Sequence, residues 1–172
     1  MKVFLLLFIS LLCFGCNKRV HRKGEITKIE FARDGLSITP GVTIGIDETL
    51  DYKYFGNYES QHQKYLVGKV SSQFWDTLTR KLHAIKFKTV KATIDPLDES
   101  EEYYELIVYW TNGKRRLLRV WSKEPDPVLS LCEWIDTSYK KVKLHKANGI
   151  IKFETLHHSI AEPIPDTVWG QK

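Results

Sequence analysis

Apolar and polar side chains alternate with a two-residue period in several stretches of the first half of the chain. Ile29 and Phe31 stand between polar neighbours, Val42, Ile44 and Ile46 repeat the pattern, and Leu50, Tyr52 and Tyr54 follow a tight Asp47-Glu48 turn. A fourth strand is set either by Tyr65, Val67 and Lys69 or by the offset pair Leu66 and Val70. The period then lengthens. Ser71 is a helix N-cap, with Val70 and Trp75 at staple positions, and Phe74, Trp75, Leu78, Leu82 and Ile85 recur at helical spacing as a core-facing stripe. Alternation returns in Tyr103 to Trp110 and Lys114 to Trp121, flanking Asn112-Gly113, the pair that best tolerates the two positive φ angles of a type I′ turn.

With that turn, Tyr104 faces Trp121, Leu106 faces Arg119, Val108 faces Leu117, and the Val108 side is the buried one. The opposite side then presents Tyr103, Tyr109 and Arg116, a candidate binding surface. Asp126-Pro127 opens a second helix, Asp as N-cap and Pro in the first turn, with Val128, Leu131, Cys132 and Ile135 on one face and Lys140, Lys141 and Lys143 near its end. Ile150 to Leu156 reads as one more strand, and residues 161–172 as a tail. The fold class this predicts is α+β: a mostly antiparallel sheet in the order ββββ-α-(β)-ββ-α, with two helices packed on it, spanning residues 25–160 as one domain.

The start of the chain follows another pattern. Met1-Lys2 precedes a nearly continuous apolar run, Val3 to Phe14, that ends at Gly15-Cys16. The run falls short of the about 20 residues a membrane-spanning helix needs, and it has the form of an export leader over residues 1–15. Gly15-Cys16 resembles the bacterial lipobox, in the looser form of Bacteroidetes-type lipoproteins, which implies diacylglycerol on the Cys16 thiol followed by cleavage before it. Residues 16–24 then form a lipidated cysteine and a flexible basic tether, NKRVHRKG. Asn17 in place of an acid implies, by resemblance to enterobacterial sorting, the outer membrane, facing the periplasm.

Charge placement narrows the partners. Of 26 Lys and Arg, Lys2, Lys18, Arg19, Arg22 and Lys23 lie in a stretch without acids, so the rest of the chain balances its 21 Asp and Glu. A neutral body offers no distributed basic face, and nucleic acid is set aside as a partner. With Cys13 in the leader and Cys16 lipidated, the body keeps Cys132 as a small buried hydrophobe, and no internal disulfide is expected.

The element order, together with the Val42 to Ile44 strand, Asp47, Tyr52, Ser71-Ser72, Phe74, Leu78, Phe87, Lys114 and the Pro125 to Ile135 helix, resembles a family of small Bacteroidetes-type lipoproteins of unknown function. The resemblance covers residues 25–140 and implies export and fold, with no active site.

No nucleophile elbow, phosphate loop, zinc-protease motif or dinucleotide fingerprint occurs, and no cofactor or metal is expected. Asp95, Asp98, Glu99, Glu101 and Glu102 lack the spacing of a calcium loop and read as a solvated segment. His157-His158 with Glu154 lack further ligands. The expected function is a membrane-tethered envelope module that binds an envelope protein or polymer. An envelope immunity or inhibitor protein is the alternative, and a carboxylate-dependent hydrolase, needing two acids converging in a cleft, is the third.

Overall fold

A computed structural model describes residues 24–33, 41–57, 63–91, 103–121 and 127–155. The chain is α+β. Its described strands are β1 (Ile26–Arg33), β2 (Val42–Asp47), β3 (Asp51–Asn57), β4 (Gln63–Lys69), β5 (Tyr103–Trp110), β6 (Arg115–Trp121) and β7 (His145–Lys146), with helix α1 (Ser72–Ala84) after β4 and helix α2 (Pro127–Asp136) after β6. The strands form a single antiparallel sheet in the order β6-β5-β1-β2-β3-β4-β7. β1 therefore lies between the two hairpin systems, pairing with β2 on one side and β5 on the other.

The alternation read from the sequence becomes one buried row after another. Ile29 and Phe31 of β1 sit opposite Ile46 and Ile44 of β2 and opposite Val108 and Leu106 of β5. Tyr54 and Tyr52 of β3 continue those rows, and Leu66 of β4 faces Tyr54. All of these side chains are buried, together with Leu118 and Val120 of β6. Each large apolar side chain so withdrawn from water is worth roughly 1.5–3 kcal/mol, which is why the period-two pattern selects this face for the helices.

Helix α1 starts where Ser71 caps it, the hydroxyl accepting the Phe74 N–H at 3.1 Å. Val70 and Trp75, the staple positions, are both buried, as are Leu78 and Leu82. Phe74 and Ile85 lie at the margin of the core, and the Phe74 ring stacks on Trp134 of α2 at 4.7 Å between centroids. Helix α2 buries Val128, Leu129, Leu131, Cys132 and Ile135, and its end is tied to β1 by the Arg33 Nε–Asp136 Oδ1 pair at 3.2 Å. Its expected cap, Asp126, lies outside the described residues.

A 3-10 turn (Thr137–Lys141) follows α2 and carries Lys140 and Lys141. It brings the Ser138 hydroxyl to 2.7 Å from the buried Tyr52 hydroxyl and Tyr139 to 5.1 Å from the Tyr54 ring. The chain then crosses β4 at Gly68, where a Cβ would stand 2.7 Å from the Lys143 carbonyl oxygen. That close approach requires glycine.

One expectation is corrected by the structure. The seventh strand is His145–Lys146 on the β4 edge, and Ile151 to Glu154 form no regular strand. Residues 85–91 after α1 are turns and irregular chain, and the rest of the connection on which the bracketed strand falls lies outside the described residues.

Candidate functional site

The β5–β6 hairpin decides the fate of the sequence-predicted surface. Its loop has three residues. The Gly113 N–H reaches the Trp110 carbonyl, the Trp110 N–H reaches the Lys114 carbonyl, and Gly113 takes the left-handed conformation at φ 73°. A type I turn over Thr111-Asn112 with a glycine bulge thus replaces the two-residue type I′ turn, and the Asn112 side chain accepts the Lys114 N–H. Register moves by one residue: Leu106 faces Leu118, Val108 faces Arg116 and Tyr109 faces Arg115. The Val108 side is buried as expected, but β6 is turned over, so Leu118 points inward and Leu117 is exposed.

Tyr103, Tyr109 and Arg116 are consequently not one surface. Arg116 belongs to the helix-bearing side, where its guanidinium donates to the carbonyls of Phe87, at 2.6 Å, and Val90. It clamps the turn after α1 and lies 5.9 Å from the Phe87 ring centroid. Tyr103 and Tyr109 are both on the outer side, at opposite ends of β5. The Tyr109 ring carries the Lys28 ammonium at 4.7 Å from its centroid, and burial first, then the Glu30 and Glu154 carboxylates, hold its phenol well above the ordinary tyrosine range. Cys16 lies outside the described residues.

The outer side is covered in part, around Glu30. Glu30, 1% exposed, and Glu105, 0% exposed, point to this face from neighbouring strands. Residues 151–155 run across it: the Phe153 ring lies against Gly45, the Glu154 N–H donates to the Glu30 carboxylate, and Glu154 pairs with Arg115. Lys28 stands 2.7 Å from Glu30, and Arg119 donates to Glu105 at 2.9 Å. Buried carboxylates need such partners, since an uncompensated buried charge costs several kcal/mol. Each acid is engaged with its own cation, and the Glu154 N–H on Glu30 fastens residues 151–155 to the sheet. Among the described residues no group of three or more His, Cys, Asp or Glu is arranged to hold a metal ion. His157, His158 and the acids of residues 95–102 lie outside the described residues.

A pocket of about 230 Å³ opens on the opposite side, at the end of the sheet where β1 begins and β5 turns into β6. Ile26, Leu82, Phe87 and Trp110 form its floor, and His83, Lys86, Lys88 and Thr89 its rim. It exists because α1 ends in a Schellman motif, with the Phe87 N–H on the Leu82 carbonyl and the Lys86 N–H on the His83 carbonyl. Lys86 holds the left-handed position at φ 52°, where glycine is the usual residue. Phe87 turns back into the core beside Trp110, 6.4 Å between ring centroids. Lys88 extends over the Trp110 ring at 5.5 Å.

Among the described residues no acid lines the pocket, so their charge there is one-sided. Trp110 is 7% exposed and its indole N–H is buried with no acceptor among the described residues. A buried donor left unpaired costs about 1–3 kcal/mol. The chain enters the domain at the same place: the Gly24 N–H donates to the Thr111 hydroxyl at 2.9 Å, the Thr111 N–H to the Glu25 carbonyl at 2.9 Å, and the Lys88 ammonium reaches the Gly24 carbonyl at 3.4 Å. Cationic and apolar-floored, the pocket suits a small anion with an apolar part.

Sequence reasoning met Leu82, Phe87 and Trp110 only singly, as stripe, resemblance and strand positions, and did not join these residues into a pocket. Its one trace is the Lys86-Phe87-Lys88 run directly after the α1 stripe, two cations around a core aromatic. That Trp110 and Ile26 complete the pocket is a long-range consequence of β1 pairing with β5.

A second groove, about 580 Å³, runs along the β4 edge between Lys64, Tyr65, Lys146, Asn148 and Ile150. Among the described residues no helix is long and apolar enough to cross a membrane. No family model, no curated protein and no solved structure matches this chain.

Proposed function

We propose that this chain is a membrane-tethered cell-envelope lipoprotein whose folded body serves as a binding or accessory module, of the small Bacteroidetes-type kind. Residues 1–15 are its export leader, Cys16 carries the lipid, and the body is held at the outer membrane facing the periplasm. The observation that carries the reading is the apolar run Val3 to Phe14 ending in Gly15-Cys16 and followed at once by Lys18, Arg19, Arg22 and Lys23. Lipid and charge are two anchoring signals, and each Lys or Arg held near an anionic leaflet adds about 1 kcal/mol.

The geometry at Gly24 agrees with a tether. Gly24 is bonded to the hairpin end of the sheet, so the body has a defined entry point. The eight residue steps from Cys16 to Gly24 reach at most about 28 Å when fully extended, and a lipid on Cys16 would keep that end of the body close to the bilayer.

Radiolabelled palmitate fed to cells expressing the chain tests the anchor. Label is expected in the protein and is lost in Cys16→Ser; an unlabelled polypeptide in the cytosol that still begins at Met1 ends the reading. Crosslinking in intact cells tests the module, and recovery of no specific envelope component counts against it.

A further inference from the structure

The entry point of the chain and the cationic pocket are the same corner of the molecule. Lys88 both lines the pocket and contacts the Gly24 carbonyl, and Thr111, which accepts the Gly24 N–H, follows Trp110 of the pocket floor. We propose that this pocket is a membrane-facing site for the phosphodiester headgroup of an anionic phospholipid. The proposal rests on the anchoring of Cys16, because only a tether that ends at Gly24 turns this corner toward the bilayer.

Four properties of the pocket point to that ligand. Its rim supplies His83, Lys86 and Lys88, and among the described residues no carboxylate lines it. Its floor of Ile26, Leu82, Phe87 and Trp110 suits the glycerol and first acyl carbons beneath a phosphate. The volume, about 230 Å³, equals that of roughly eight liquid waters and admits a headgroup without the acyl chains, which would stay in the membrane. The Trp110 ring lies in the floor with the Lys88 ammonium over it, and tryptophan with snorkelling lysine is the pair that bilayer interfaces favour.

Lys86 adds an independent argument. A left-handed backbone is unfavourable for any residue with a Cβ, yet this position at φ 52° carries a lysine whose side chain is exposed at the pocket rim. Retaining lysine where glycine would relieve the backbone follows if its ammonium is used.

The full chain, isolated from cell membranes in a neutral detergent, provides the test. Dihexanoyl phosphatidylglycerol, dihexanoyl phosphatidylcholine and inorganic phosphate are titrated in separate arms, and the Trp110 indole N–H resonance, assigned through Trp110→Phe, is followed by NMR. Saturable movement with the phosphatidylglycerol is expected, with at least about tenfold weaker response to the phosphatidylcholine and to phosphate, and about tenfold weaker binding in Lys88→Gln. Lys86 and Lys88 are exposed, so Lys88→Gln and Lys86→Gln leave the fold intact and keep the test valid if Trp110→Phe does not fold. Three results overturn the proposal: a silent resonance, an equal response to inorganic phosphate, or affinity unchanged in both lysine variants. The mass of the Cys16 peptide from the same preparation separates the two readings. A lipidated peptide with a silent Trp110 removes the pocket alone, whereas an unlipidated peptide with a responsive Trp110 removes the anchor and retains the headgroup site.

Discussion

The pairing of Tyr52 with Ser138 is a sensitive place to test how the second half of the chain is fastened to the sheet. The two hydroxyls are 2.7 Å apart, and both residues are buried, at 0% and 2% exposure. Water cannot replace either partner. Tyr52→Phe leaves the Ser138 hydroxyl unpaired and Ser138→Ala leaves the Tyr52 phenol unpaired, so each single variant loses about 1–3 kcal/mol in a urea unfolding titration. The double variant removes both polar atoms and loses clearly less than the two losses added, giving a coupling of about 1 kcal/mol or more.

Alkaline titration reads the same contact. Burial raises the Tyr52 phenol far above its ordinary value near 10, the Ser138 hydrogen bond opposing it only in part. A folded-state value raised above the unfolded one means that the contribution is intact below pH ~10 and declines above it, by up to about 1.4 kcal/mol per pH unit, as the unfolded phenol loses its proton first. Tyr109 and Tyr65, also raised by burial, add to the decline. Tyr52→Phe should therefore flatten the fall in stability above pH ~10 while lowering stability at neutral pH. Strict additivity of the two single variants, or an unchanged alkaline slope in Tyr52→Phe, would refute the reasoning.

Three further outcomes follow from the local geometry. Ser71→Ala removes the acceptor of the Phe74 N–H and lowers stability by about 1 kcal/mol, read from the urea midpoint with unchanged slope. Gly68→Ala drives a Cβ against the Lys143 carbonyl and Val142, so the 142–146 segment lifts from β4; amide exchange at Ala147, whose N–H bonds the Tyr65 carbonyl at 3.0 Å, should accelerate well before global unfolding. Lys86→Gly relieves the left-handed position and raises thermal stability by about 1 kcal/mol while weakening binding of the phosphatidylglycerol probe; a loss of stability would mean that the lysine side chain holds the turn.

The legibility of the fold varied with the range of the interactions that set it. β1 to β4 and the Ser71 cap were readable because strand alternation and capping are local, a matter of neighbours within a few residues. Arg116 was read onto the wrong side because the choice between two and three loop residues at Asn112-Gly113 rests on a small difference in turn energy, while a single step of register reverses every side chain of β6. Tyr109 has the composition of a recognition residue, but Lys28, Glu30 and the returning residues 151–155 enclose it, and contacts that distant in sequence leave no periodic mark. The pocket was invisible for the same reason.

What the sequence determined by itself is whatever depends on periodicity and neighbouring residues: an α+β chain, strands β1 to β6, its two helices and the side of β5 that is buried. Tertiary structure alone decided the orientation of β6, the contact of residues 151–155 with the buried Glu30, and the meeting of Lys86 and Lys88 with Trp110. The physical reason is that burial rewards any sequence with the right alternation, whereas register and the convergence of distant side chains are settled by turn geometry and packing, which act only once the chain has closed on itself.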